Sequence, residues 1–181
     1  SRLAARMPGE RPVTLDGLAF LGSATLHRGA HAIPLADDRA IVAWLATNAP
    51  RSAAVLEAQL PEYQYGGRIA SFTGLPTLLG YRFHETQQRP IAPLGDIVNL
   101  RVANVDAIFR GNDLDAARRA LADYRVRYVV VGGIERAVYP AASLARFDAW
   151  VAQGVARVAF RHGASTIYEL APPPPVGWPA L

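Results

Sequence analysis

The chain contains no cysteine. That excludes disulfides, thiolate nucleophiles and cysteine-ligated zinc, while leaving the compartment open, since many exported bacterial domains have no disulfides. It contains no lysine either: all 19 basic side chains are arginine. A phosphate-cradling Gly-Lys-Ser/Thr loop is therefore impossible. With so much Ala and Pro, this usage reads as the codon habit of a GC-rich genome. No Gly-x-Ser-x-Gly elbow is present, which argues against a serine hydrolase. No apolar run approaches the ~20 residues needed to cross a bilayer, so the piece is expected to be soluble. It begins at Ser1 with no signal sequence, and its natural start is expected to have been removed.

What is present is the composition of a globular domain. The chain has 181 residues, 51% hydrophobic and 19% charged, enough for one domain with a proper core or one domain with an appendage. The net charge of +4 is spread along the chain. Only Arg118-Arg119 and Arg125/Arg127 cluster, and these read as a solvated helix end. Nucleic-acid binding is not expected, because such proteins concentrate their charge in one stripe.

Residues 1–36 read as an N-terminal arm with short β elements, a hairpin at 13–21 about Asp16-Gly17, then an irregular stretch at 22–36. Residues 37–171 read as the α/β domain, and the proline-rich 172–181 as a loose tail. Asp37-Asp38 opens a helix, because acids suit the positive end of the helix dipole, and Ile41, Val42, Trp44 and Leu45 supply its apolar stripe. Ala53 to Leu56 reads as a buried strand and Arg68 to Phe72 as a second. Helices are expected over 96–109, from a cap at Asp113 to Tyr124, and over 141–152 after Pro140. Arg127-Tyr128-Val129-Val130-Val131 is the clearest strand, ended by Gly132-Gly133. A closing hairpin follows about His162-Gly163. This order predicts an α/β fold with a mostly parallel, Rossmann-like central sheet flanked by helices and a C-terminal β-hairpin.

In such sheets ligands gather at the carboxyl ends of the strands. Three segments would share that edge: Glu57 to Tyr65, Thr73 to Arg89 and Gly132 to Arg136. The candidate ligand-binding residues are therefore Glu57, Tyr63, Tyr65, Tyr81, His84, Glu85, Gln88, Arg89, Glu135 and Arg136. Phenolic, acidic, amide and guanidinium groups gathered at such an edge can contact a ligand. The alternative is bracing, with Glu57 and Glu85 pairing with Arg68, Arg89 or Arg136 and locking a loop without doing chemistry. A third reading takes Glu57 and Glu85 as a glycosidase pair.

His84-Glu85 does not continue to a second His one helical turn on, since Gln stands at 88, and the other histidines lack ligand spacing. No metal site is expected. Gly132-Gly133 lacks the third glycine of a dinucleotide loop, and Glu135 would repel a phosphate there. No cofactor is expected.

Several of these residues also carry a family resemblance. The strings are Ser71-Phe72-Thr73-Gly74-Leu75-Pro76-Thr77-Leu78-Leu79-Gly80 with His84-Glu85, Arg125 to Gly132 with Glu135-Arg136, Thr14 to Gly17, Ala40 to Leu45, and Ile167-Tyr168. Across nearly its whole length the chain resembles the extracytoplasmic C-terminal region of the Chlor_Arch_YYY family of multi-pass membrane proteins, which look related to the C-type, polyprenyl-phosphate-sugar-dependent glycosyltransferases. It departs from the family at Tyr81-Arg82-Phe83 and Gln88-Arg89-Pro90, where the family often carries Trp-Pro-Gly and Trp-Arg-Gly. The resemblance implies a location on the outer face of the cytoplasmic membrane. It implies a transmembrane region of the same polypeptide as partner, and a glycan or polyprenyl-phosphate sugar as ligand. It also implies that this piece is not catalytic alone, the catalytic acid of related enzymes lying in a membrane loop. A purely structural module packed on the transmembrane part is the alternative.

Overall fold

The computed structural model describes residues 14–62, 64–88 and 93–171. A 3-10 turn at Ala19–Gly22 leads into a hairpin of β1 (Thr25–Arg28) and β2 (His31–Pro34). There follow α1 (Ala36–Asn48), β3 (Ala54–Leu56), α2 (Arg68–Thr73), α3 (Arg82–Gln88), α4 (Leu94–Arg110) and α5 (Leu114–Asp123). The chain then forms β4 (Val126–Val131), α6 (Gly133–Val138), α7 (Ala141–Ala152), β5 (Ala156–His162) and β6 (Ser165–Leu170).

The α/β class stands, but the sheet is mixed. Its order is β3-β4-β6-β5, with β3 parallel to β4 and both other pairs antiparallel. The reason lies in the closing hairpin. It turns at Gly163, whose φ of 53° suits glycine, and inserts β6 between β4 and β5. That places Tyr128 opposite Glu169 and Val131 opposite Thr166. Thr77 adds one parallel bridge to Val55 outside β3.

Two apolar layers enclose the sheet. Ile41, Val42 and Leu45 of α1 pack on Val55, Tyr128, Val130 and Ile167. On the other face Phe109, Phe147, Trp150 and Ile134 meet Leu56, Val129, Val131 and Tyr168. Alternate residues of β4 thus serve opposite layers, as the period of two requires. Phe109 stacks on Tyr139 at 4.4 Å, and Phe147 meets Trp150 edge-on at 5.4 Å. Full burial of each such ring contributes about 1.5–3 kcal/mol.

Three local expectations are corrected. Arg68 to Phe72 is helical, not a strand. Its buried residues are Arg68, Ile69 and Thr73, the spacing of one helix face and not of a pleat. The hairpin falls at 25–34, within the stretch read as irregular, and turns at Gly29 with φ 55°; 14–21 holds only turns and the 3-10 segment. The loop after Gly80 contains α3, which begins just beyond Tyr81 and carries His84, Glu85 and Gln88. The arm at 1–12 and the tail at 172–181 lie outside the described residues.

Candidate functional site

Because β3 and β4 are parallel neighbours, the chain leaves both at the same edge of the sheet. Glu57 follows β3 directly, and Glu135 lies in the first turn of α6 just after β4. Their carboxylates point inward, not into an open crevice: Glu57 is 5% exposed and Glu135 is fully buried. Between them lies the guanidinium of Arg68, at the start of α2 and 1% exposed. Its Nε donates to Asp38 of α1 at 2.8 Å. One terminal nitrogen donates to Glu57 at 3.1 Å, and the other to both oxygens of Glu135 at 3.0 and 3.2 Å. One arginine therefore ties α1, the end of β3 and α6 to α2.

The remaining carboxylate capacity goes to backbone donors. Glu57 Oε1 accepts from the N–H of Ile69 at 3.1 Å and of Ala70 at 3.4 Å, which caps α2 from outside the helix. That helix needs a cap in trans because its own N-cap residue is Gly67, which has no side chain to offer. Glu135 accepts from Gly132 N–H at 2.9 Å and from Ala58 N–H at 2.8 Å. It forms half a capping box, since Gly132 has no side chain to return the bond. Helix N-termini at strand ends are where α/β folds hold ligand anions. Here the chain supplies both carboxyl groups itself, with Arg68 between them.

Three buried carboxylates face one guanidinium, so they cannot ionise equally. Burial raises the pKa of Glu57 to about 7, against the lowering pull of Arg68 and with a further push from Glu135. Burial also raises Asp38, only partly offset by Arg68. Burial acts upward on Glu135 too, yet Arg68 and the N–H groups of Ala58 and Gly132 outweigh it and leave the group below its ordinary value. Burial would lower Arg68, but Glu135, Asp38 and Glu57 hold its pKa well above normal. Near neutrality the cluster is an Arg68–Glu135 ion pair beside Glu57, which titrates in that range, and Asp38, which is held above its ordinary value. Perturbed acids often mark chemistry, but structural ion networks perturb them as well.

Of the candidate residues, the structure brings together Glu57, Glu135 and Tyr65. The Tyr65 hydroxyl is buried without a well-formed hydrogen bond, and burial followed by the nearby Asp38 carboxylate raises its pKa far above normal. Tyr81 donates through its hydroxyl to the Gln64 carbonyl at 2.8 Å and meets His84 edge-on at 5.8 Å. Glu85 accepts from Gly80 N–H at 2.6 Å and closes its own turn. Gln88 is exposed on α3. Arg136 is exposed and donates to the Ala164 carbonyl at 3.2 Å, away from the cluster. Tyr63 and Arg89 lie outside the described residues. The centre of the site, Arg68, was legible only as a possible partner of Glu57, and no local pattern distinguishes Asp38 from Asp37. Asp37 instead faces His162 Nδ1 at 3.2 Å and accepts from Ala164 N–H at the surface. Among the described residues no group of three or more His, Asp or Glu has metal-binding geometry. Beside α3 lies a shallow recess of about 350 Å³, lined by Glu62, Arg82, Phe83, Thr86 and Asn99.

These features define an α/β domain whose strand-end positions are filled from within. No family model matches the chain, and no curated protein matches it significantly. Among solved structures it is similar to the C-terminal globular domain of an oligosaccharyltransferase from Archaeoglobus fulgidus. The TM-score is 0.45 and the identity 12%, over 75% of this chain and 97% of that one. A likeness of that size carries no argument about function.

Proposed function

We propose that the chain is a non-catalytic recognition domain of a membrane glycosyltransferase-type protein, on the outer face of the cytoplasmic membrane. It contributes contacts to a sugar, an acceptor or a lipid-phosphate sugar, and the chemistry belongs to the membrane-embedded part of the same polypeptide. The setting rests on the sequence resemblance. Among the described residues no helix is long and apolar enough to cross a membrane, so the spans that this setting requires would lie elsewhere in the polypeptide.

The observation that carries the non-catalytic reading is the sealing of the strand-end acids. Glu57 has both oxygens taken up by Arg68 and the α2 backbone, and Glu135 is fully buried. A glycosidase pair needs two carboxyl groups facing one substrate bond, and Glu57 does not face solvent. Recognition then falls to the surface of α3. Phe83 is 48% exposed there, and Glu62, Arg82, Thr86 and Asn99 can bond hydroxyls beside it. An apolar ring flanked by polar groups suits a sugar face.

The test is an amide NMR titration of the chain with soluble glycans and a short-chain lipid-phosphate sugar. Shifts are expected at Phe83, Thr86 and Asn99, and none at Ile69 or Gly132. An absence of shifts with every ligand would overturn recognition. It would favour a module that only packs on the transmembrane part, a reading supported by the internal bonds of Tyr81 and Glu85.

A further inference from the structure

The opposite end of β4 carries a second feature, independent of the brace and of the function proposed above. A groove of about 880 Å³ opens between the end of α5, the start of β4 and the end of α7. Ala122, Val155, Leu170 and Ala171 supply its accessible apolar surface, with Leu121, Val126 and Trp150 buried beneath. Arg118, Arg119, Arg125 and Arg127 bring charge to it. Its one carboxylate, Glu169, is already matched: Arg127 donates to it at 2.9 and 3.0 Å, and Arg157 donates to its other oxygen. Arg118, Arg119 and Arg125 make no side-chain hydrogen bond or ion pair among the described residues. The acids of α5 nearest to them, Asp115 and Asp123, do not line the groove. The groove lining therefore sets four arginines against one carboxylate.

Arg125 stands out for its backbone. It follows the C-cap of α5, Tyr124, with φ 52°, and is the only non-glycine among the described residues at positive φ. The equivalent place after α7 is Gly154, φ 72°, on the same groove. A left-handed residue closing a helix is ordinarily glycine, because a Cβ there is strained. At one of two matching helix ends the chain thus holds a strained arginine whose guanidinium has no partner among the described residues.

Guanidiniums without a partner among the described residues, set around apolar surface, suit a phosphate headgroup joined to hydrocarbon. Arginine grips phosphate through paired N–H donors, and the apolar surface shelters the adjoining chain. We infer that this groove docks the chain onto bilayers that carry phosphate-headed anionic lipid.

The experiment is co-sedimentation of the purified chain with vesicles of phosphatidylcholine, alone or mixed with phosphatidic acid. Binding is expected only to the acidic vesicles, weakening with salt. Each arginine removed should weaken it about five-fold, following the usual contribution of a basic residue at an anionic surface. The discriminating variant is Arg125→Gly, which relieves the backbone: its Tm should rise while its vesicle affinity falls, a combination that misfolding cannot produce. The Arg118→Ser/Arg119→Ser pair should lose affinity with Tm unchanged. Equal binding to neutral vesicles, binding to neither, or an Arg125→Gly variant with full affinity would overturn the proposal. So would displacement by millimolar inorganic phosphate, which marks a free-phosphate site. A dimer lost in the arginine-pair variant without vesicle binding would assign the groove to a second copy.

Discussion

Replacing Arg68 with Met tests the brace at its centre. Methionine keeps much of the buried stem volume but removes the cation that faces Asp38, Glu57 and Glu135. Removing one partner of a buried ion pair costs about 3–5 kcal/mol, because the other charge is left without compensation. With three carboxylates affected, a loss near the middle of that range, about 4 kcal/mol, is expected at mildly alkaline pH. For a domain of this size that is a fall in Tm of roughly 10 °C. The pH dependence is the stronger test. In the wild type Glu57 has a folded pKa of about 7 against an ordinary 4.5. A raised carboxyl pKa means that the folded state holds the proton more tightly. Its contribution is therefore fully present below 4.5 and is lost as pH rises through 7, worth about 3 kcal/mol in all. Without Arg68, Asp38 and Glu57 should move higher still and Glu135 should rise from below its ordinary value, so acid should recover roughly half of the deficit as they neutralise. Melting curves of both proteins by circular dichroism, between about pH 5 and 8, make the comparison. A deficit under about 1 kcal/mol, or one constant across that range, would refute the reasoning.

Other substitutions probe the surroundings. Gly132→Ala would place a Cβ 2.7 Å from Ser165 Oγ and 3.4 Å from Glu135 Oε2; it should destabilise by about 1–3 kcal/mol, seen as a lower denaturant midpoint. Phe109→Ala removes a fully buried ring stacked on Tyr139, and should cost about 3–5 kcal/mol by the same measurement. Glu85→Ala removes the acceptor of the Gly80 N–H; about 1 kcal/mol should be lost locally, with faster hydrogen exchange at Gly80 and little change in global Tm.

Much of the fold was legible because its signals are local. The Val129-Val130-Val131 run ended by Gly132, the acids opening α1, the cap at Asp113 and the proline before α7 each act within a few residues, and all these elements stand where they were expected. The strand order was not legible, because nothing in residues 156–170 says that β6 rather than β5 lies beside β4. Helix α2 was misread for a related reason: Arg68-Ile69-Ala70-Ser71-Phe72 resembles a short strand until Glu57, eleven residues upstream of Arg68, is known to cap it. The site shows the same division. Glu57 and Glu135 could be placed at one sheet edge from the parallel β3–β4 reading alone. Their inward direction depends on a buried guanidinium and on Asp38, thirty residues before it.

The brace is tested most directly by following the side-chain carboxyl carbons of Glu57 and Glu135 by NMR as pH is varied. The expected result is a Glu57 titration near pH 7 and a Glu135 titration below the ordinary carboxylate range, both lost from this pattern when Arg68 is replaced. Two unperturbed titrations near 4.5, as for solvent-facing acids, would contradict a strand end filled from within.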